Sequence, residues 1–330
     1  MNDSEEATRV LGHHRVSASP DTVHWGFFDA SLKPVISVTS GDTVTLSTVS
    51  GRPMDMPAAA SGFIVPDALS AIHAQVRQGP VGHILTGPVE LRGAKPGHVL
   101  EVRIKSIELN CDWGYNIIFP LAGALPDDFE EFRVIHFPID RKRKIAQMPW
   151  GLEIPLTPFF GVMATAPPKQ WGAVSSLPPR RNGGNIDNKE LVAGTTLYLP
   201  IHAEGALFSV GDGHAAQGDG EVCSAIETGL TGTFELHLRE DLHLDWPLAE
   251  TANHIITMAF HPDLDDGVVI ALRDMLKLIC ARTGLSREDA YSLCSIAADI
   301  RVTQVVNGNK GIHVMLDKSY LVRDRRELSR

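Results

Sequence analysis

At 330 residues, 43% apolar and 21% charged, the chain has the composition of a globular protein that buries a sizeable core, as one large unit or two domains. With 30 Lys and Arg against 40 Asp and Glu, its net charge of −10 supplies no basic field for a nucleic-acid backbone or an anionic membrane. The acidic start MNDSEEATRV lacks a signal pattern, no stretch approaches the ~18 apolar residues of a membrane span, and the four cysteines show no CxxC spacing, so a cytoplasmic protein with reduced thiols is expected.

Short apolar runs punctuated by Gly, Pro, Asn and Asp dominate the first 265 residues and read as strands and turns. VISVTSGDTVTLSTV (35–49), HVLEVRIKSIEL (98–109), TTLYLPI (195–201) and TGTFELHL (231–238) alternate with period two. Between 110 and 190 lie ten of the 21 prolines, which predicts long loops that shape a pocket, with Trp113, Phe159, Phe160 and Trp171 as candidate lining. Within that stretch the one basic run, Arg141 to Lys144, reads as a solvated turn. Helical spacing then appears in GVVIALRDMLKLICAR (267–282), stopped by Thr283-Gly284, and in SREDAYSLCSIAADI, capped by Ser286. A strand VTQVV (302–306), an Asn307-Gly308 turn and an alternating IHVML follow. The expected architecture is mostly β, with a core over 1–265, a helical hairpin and final strands over 266–330, and both packed as one catalytic unit.

The densest chemistry lies in SVGDGHAAQGDGEV (209–222), where Asp212, His214, Asp219 and Glu221 alternate with glycines. Too many glycines for a helix and too little apolar surface for a core element predict a shaped loop between strands. Carboxylates and an imidazole on such a loop suit a divalent cation, and the imidazole favours zinc over calcium. A plain Gly-Asp hairpin turn is the competing reading. Other candidates are His83, before a Thr-Gly-Pro turn; His24 and Asp29, in TVHWGFFDA; and Asn185 and Asp187, after a Gly-Gly pair. Each also reads as an ordinary core histidine or turn residue. Nucleophile chemistry has less to stand on: no G-x-S-x-G elbow occurs, Ser175 and Ser176 lack the surroundings of Ser-Ser-Lys amidases, and Cys223 reads more readily as a buried structural thiol than as an activated one.

The blocks GGNIDNKELVAGTTLYLPIHAEGALFSVGDGHAAQGDGEV, HILTGPVELRGAKPGHVLEVRI and GLSREDAYSLCSIAADIRVTQVVN resemble the acetamidase/formamidase family, over about residues 20 to 320. The resemblance implies a hydrolase of small linear amides, formamide- or acetamide-like, that releases ammonia and a carboxylate, a jelly-roll-like β-sandwich with added helices, and a homo-oligomer; the candidate aromatic lining leaves a larger amide open as substrate. On that footing Asp212, His214 and His83, with His24 or Asp29, would bind a zinc-like ion that polarises the amide and acidifies a water. Glu221 would be the general base, and Asn185 or Asp187 would position the amide NH2. Two other readings stay open: a metal-containing sandwich that binds a small ligand without chemistry, and a cysteine amidase using Cys223.

Overall fold

The computed structural model describes residues 11–79 and 82–321; the N-terminal decapeptide read above lies outside them. Alternating segments become strands because one face of each meets apolar neighbours. Thr43–Ser47 buries Val44 and Leu46, and Leu230–Arg239 buries Leu230, Gly232, Phe234 and Leu236 along one face. Leu230–Arg239 pairs antiparallel with both Thr43–Ser47 and Val99–Leu109. From there a nine-stranded sheet continues through Thr196–Pro200, Leu248–Glu250, His254–His261 and Lys310–Asp317 to Asp299–Gln304.

A second, eleven-stranded sheet is centred on Phe208–His214, which pairs antiparallel with Phe159–Ala164, Ile84–Leu91 and Glu227–Thr228. Gly183–Asn185 extends it beyond Phe159–Ala164, and Trp113–Ile118 extends it beyond Glu227–Thr228. Leu46, Leu100, Val102 and Phe234 of the first sheet share one core with Phe160, Met163, Phe208 and Val210 of the second. Phe234 packs against Phe160 and Phe208 with ring centroids 5.5 and 5.8 Å apart. The β-rich fold with appended helices expected from the sequence is therefore the one formed.

Two helices close the C-terminal side. Leu264–Thr283 starts three residues earlier than its apolar spacing suggests, because the Asp263 carboxylate accepts hydrogen bonds from the Asp265 and Asp266 N–H groups. It buries Ala271, Met275 and Ile279 against His254–His261 and Lys310–Asp317 and ends where Gly284 turns left-handed and donates to Cys280 O. Arg287–Ala297 begins at the expected cap, with Ser286 Oγ accepting from Asp289 N at 3.0 Å.

Two expectations need correction. Residues 110–190 are not loops alone: between long connections they supply Trp113–Ile118, Arg133–Asp140, Ile145–Gln147, Glu153–Pro155, Phe159–Ala164 and Gly183–Asn185 to the second sheet. Most of the prolines fall in the turns between these strands, and Pro155 ends the sheet's outermost strand. The window at 209–222 is not one loop either. Its first half is the tail of the central strand Phe208–His214, and the loop proper begins at Ala215.

Candidate active site

Three neighbouring strands end in one acidic cluster. Phe159–Ala164 lies between Phe208–His214 and Gly183–Asn185, and Asp187 follows the latter by two residues with its N–H donating to Gly161 O at 3.2 Å. Asp212 and His214 come from one flank of that middle strand and Asp187 from the other. Gly161, between them, leaves the space they enter: a Cβ there would lie 2.7 Å from Asp212 Oδ2 and 2.9 Å from His214 Cε1. Asp187 (φ 52°), Asp212 (φ 56°) and Glu221 (φ 30°) all hold left-handed backbone, which disfavours side chains other than glycine and is concentrated at functional sites.

Two groups within the cluster have ligand atoms close enough for one cation: Asp187, Asp212 and His214, and His214, Glu221 and Glu227. His214 Nε2 lies 3.3 Å from Asp212 Oδ2 and 3.4 Å from Glu227 Oε2, while His83 Nε2 approaches Asp212 Oδ2 at 3.6 Å. Gln217 fixes the His214 tautomer. Its amide nitrogen donates to Asp187 O at 2.7 Å, so its Oε1 accepts from His214 Nδ1–H at 2.8 Å and Nε2 is left facing the carboxylates. Asp187 Oδ1, His214 Nε2, Glu221 Oε2 and Asn185 Oδ1 are all buried without a hydrogen-bond partner. Buried polar atoms are rarely left so, and anionic oxygens with an imidazole nitrogen are the donors a first-row divalent ion takes. The residues fit such an ion.

Electrostatics point the same way. Burial, then the Asp187 and Glu227 charges, push the Glu221 carboxyl well above the usual range, and burial lifts Asp187 and Glu227 each to about 7. Burial also pushes on Asp212, but His83 and His214 outweigh it and hold that carboxyl below the usual range. For His214 burial works against the charged ring, yet Glu227 and Asp212 raise it well above the ordinary imidazole value. Such crowding of like charge is relieved by a cation.

The cluster forms the floor of a cavity of about 380 Å³, lined there by His83, Asn185, Asp212, Glu221, Glu227 and Asn307. Six residues singled out from the sequence thus meet: Asp212, His214, His83, Asp187, Glu221 and Asn185. His24 and Asp29 do not join them. His24 Nδ1 meets Phe27 O at 2.6 Å and Nε2 meets Ser209 Oγ at 3.0 Å, so neither ring nitrogen is spare for an ion. Asp29 Oδ1 accepts from Ser31 N at 2.7 Å and caps its own turn. Of the expected aromatic lining, Trp113, Phe159 and Phe160 are buried in strands and Trp171 is exposed; Trp25, Tyr115 and Phe119 line the cavity instead.

Residues 32–176 and 169–316 match the family model described as Acetamidase/Formamidase family. The chain belongs to the acetamidase/formamidase family. It is similar to an acetamidase of Mycolicibacterium smegmatis, with 28% identity over 221 residues, 47% of this chain and 53% of that protein. The match spans about half the length of the curated relatives. Among solved structures, an acetamidase from Bacillus halodurans shares 32% identity at a TM-score of 0.80, over 93% of this chain and 98% of that one. A predicted acetamidase/formamidase from Thermoanaerobacter tengcongensis shares 31% at 0.81, over 95% and 100%.

Three members of this cluster were not legible in the sequence. Glu227 reaches His214 because the two are cross-strand partners, Gln217 acts through a turn, and Asn307 donates to the Asp187 carboxylate from 120 residues away.

Proposed function

We propose that the chain is an amidase that hydrolyses a primary linear amide to a carboxylate and ammonia with the help of a zinc-like divalent ion. The observation that carries this reading is the convergence of four buried, unpaired polar atoms in one acidic cluster, two of them, Asn185 Oδ1 and Glu221 Oε2, on residues that line the cavity floor, in a member of the acetamidase/formamidase family. Asp212, His214 and His83 would hold the ion, with Glu227 or Asp187 beside them. When bound, such an ion supplies Lewis acidity to the amide carbonyl and lowers the pKa of a water from ~16 to ~7.

The chain's own groups account for the protons. Glu221, made more basic by burial and its acidic neighbours, takes a proton from water as the C–O bond forms and returns it to nitrogen as the C–N bond breaks. Asn185 Oδ1, buried and unpaired, accepts from the amide NH2 and orients it. Asn307 and Gln217 position Asp187 and His214. The alternative thiol route runs through Cys223, which is not the strand-buried thiol expected but a half-buried loop residue of the cavity wall, its Sγ 3.7 Å from Asn116 Nδ2.

Ammonia release from formamide, acetamide, propionamide and benzamide, before and after exhaustive chelation, tests the reading. Activity should vanish with the metal and return on adding Zn²⁺. Full activity in metal-free protein would remove the ion from the mechanism, and abolition by iodoacetamide would then implicate Cys223. Silence across the panel with metal bound would favour a ligand-binding protein. A homo-oligomer belongs to the same proposal, supported by the exposed apolar Val269, Tyr291, Ile296 and Ile300 on the C-terminal side. So does a cytoplasmic setting, supported by four free cysteines and by the absence, among the described residues, of a helix long and apolar enough to cross a membrane.

A further inference from the structure

The cavity above the acidic floor is larger than a small amide needs. At about 380 Å³ it falls within the ~300–1,000 Å³ of pockets that enclose drug-sized ligands. Acetamide is about the size of four waters, roughly 120 Å³ at ~30 Å³ each. More than half of the space would remain unfilled.

The character of that space follows from where unpaired polar atoms lie. On the floor, Asn185 Oδ1 and Glu221 Oε2 have no partner. Higher on the wall, polar side chains are already engaged by the chain. Ser50 Oγ and Tyr115 OH bond each other at 3.0 Å. Ser224 Oγ accepts from Ile117 N at 2.8 Å. Arg52 commits Nε and Nη2 to the buried Asp55 at 2.7 and 2.6 Å and lays its guanidinium over the Phe119 ring, 4.6 Å from the centroid. Trp25 Nε1 is the one buried wall atom left unpartnered among the described residues. The remaining wall is apolar: Val49, Ile84, Ile117, Phe119, Leu177 and Val306. Three of these follow directly from the floor, since Ile84, Leu177 and Val306 are sequence neighbours of His83, Ser176 and Asn307, and Ser176 Oγ holds the His83 segment by accepting from His83 N–H at 3.1 Å and meeting His83 Nδ1 at 3.3 Å. The same short segments that place polar atoms below thus place apolar ones above.

We infer that this wall is an acyl-binding chamber and that the substrates are primary amides of bulky apolar acids, aryl or branched, with the amide on the acidic floor and the acyl group against Phe119, Ile117 and Leu177. The inference rests on the amidase reading and narrows it. Arg52 does not argue for an anionic acyl group, because Asp55 already neutralises it. Burying the added apolar surface favours the larger substrate.

The test uses the zinc-loaded full chain with acetamide, 3-methylbutanamide, benzamide and the anionic malonamate, reading ammonia release and, separately, binding by calorimetry. The expected result is a kcat/KM at least ~10-fold higher for benzamide or 3-methylbutanamide than for acetamide, and tighter binding in the same order. Leu177→Trp, which fills the chamber, should lower the benzamide-to-acetamide ratio at least ~10-fold; Ala122→Trp, at the exposed rim, gives a second obstruction should the first variant fail to fold. Acetamide turned over as well as the bulky amides would overturn the chamber while leaving the amidase reading intact. Malonamate as the best substrate would overturn it in favour of Arg52. If no amide is hydrolysed, the amidase reading fails and the binding order alone decides the chamber: benzamide held no more tightly than acetamide refutes it.

Discussion

Asp187, Asp212 and Glu221 share the left-handed backbone that non-glycine residues adopt at a cost of about 1–3 kcal/mol each. From that backbone Asp212 and Asp187 bring carboxylate oxygens to 3.3 and 3.9 Å from the His214 ring nitrogens. Among the three, Glu221 separates two roles, proton acceptor and ligand, because it sits with His214 and Glu227 as well as beside Asp187. Glu221→Gln keeps the shape and removes the basic oxygen. As the general base its loss should lower kcat by about 10²–10⁴ while bound zinc and Tm stay unchanged. Loss of stoichiometric zinc in this variant, measured by atomic absorption beside the ammonia assay, would reassign Glu221 as a ligand.

At the level of elements, strand neighbours place Asp212, His214, Asn185 and Glu227, and the loops that leave those strands bring in Asp187 and Glu221. The geometry of the site depends on Gly161 lying opposite both acidic strands, so Gly161→Ala should place a methyl against Asp187, Asp212 and His214. Zinc affinity should fall at least ~10-fold, with only a modest drop in Tm because the strand itself can form. Equilibrium dialysis and thermal melts would show it, and unchanged affinity would mean that the carboxylates do not converge as described. The same neighbour relations explain what sequence could reveal. Asp212, His214 and Glu221 stood out because they are close in the chain and flanked by glycines, and the strands stood out where alternation marked a buried face. The second half of the strand at 208–214 did not, since Gly213 is there for close approach, with Thr228 O only 2.5 Å from where its Cβ would be. Glu227 and Asn307 depend on register and on a distant hairpin, which no local spacing encodes. His24 failed the other way: its local setting resembles a ligand's, but Ser209 across the sheet takes the nitrogen that an ion would need.

For the molecule as a whole, one neutral histidine in each sheet sets a limit in acid. His24 joins Val23–Trp25 to Ser209 of the central strand, and His313 Nδ1 meets Thr303 Oγ1 at 2.7 Å between the last two strands of the other sheet. Burial pushes each ring from 6.5 down to about 4. Below pH 6.5 the unfolded chain takes up a proton at each histidine that the folded chain refuses, so stability is full above that pH and falls as pH drops toward 4, where the folded rings also protonate. At about 1.36 kcal/mol per pH unit, each histidine accounts for roughly 3 kcal/mol across that window, of a total that is typically about 5–15 kcal/mol. Urea unfolding of metal-free protein at pH 7, 5.5 and 4, compared with His24→Gln, isolates one share because the carboxylates contribute equally to both curves. The variant should be less stable at pH 7, having lost a bond to Phe27 O or Ser209, yet lose about 3 kcal/mol less than the parent on acidification. Parallel curves would mean that His24 is protonated in the folded chain, and the sheet junction would then have to accommodate a buried charge between Phe27 and Ser209.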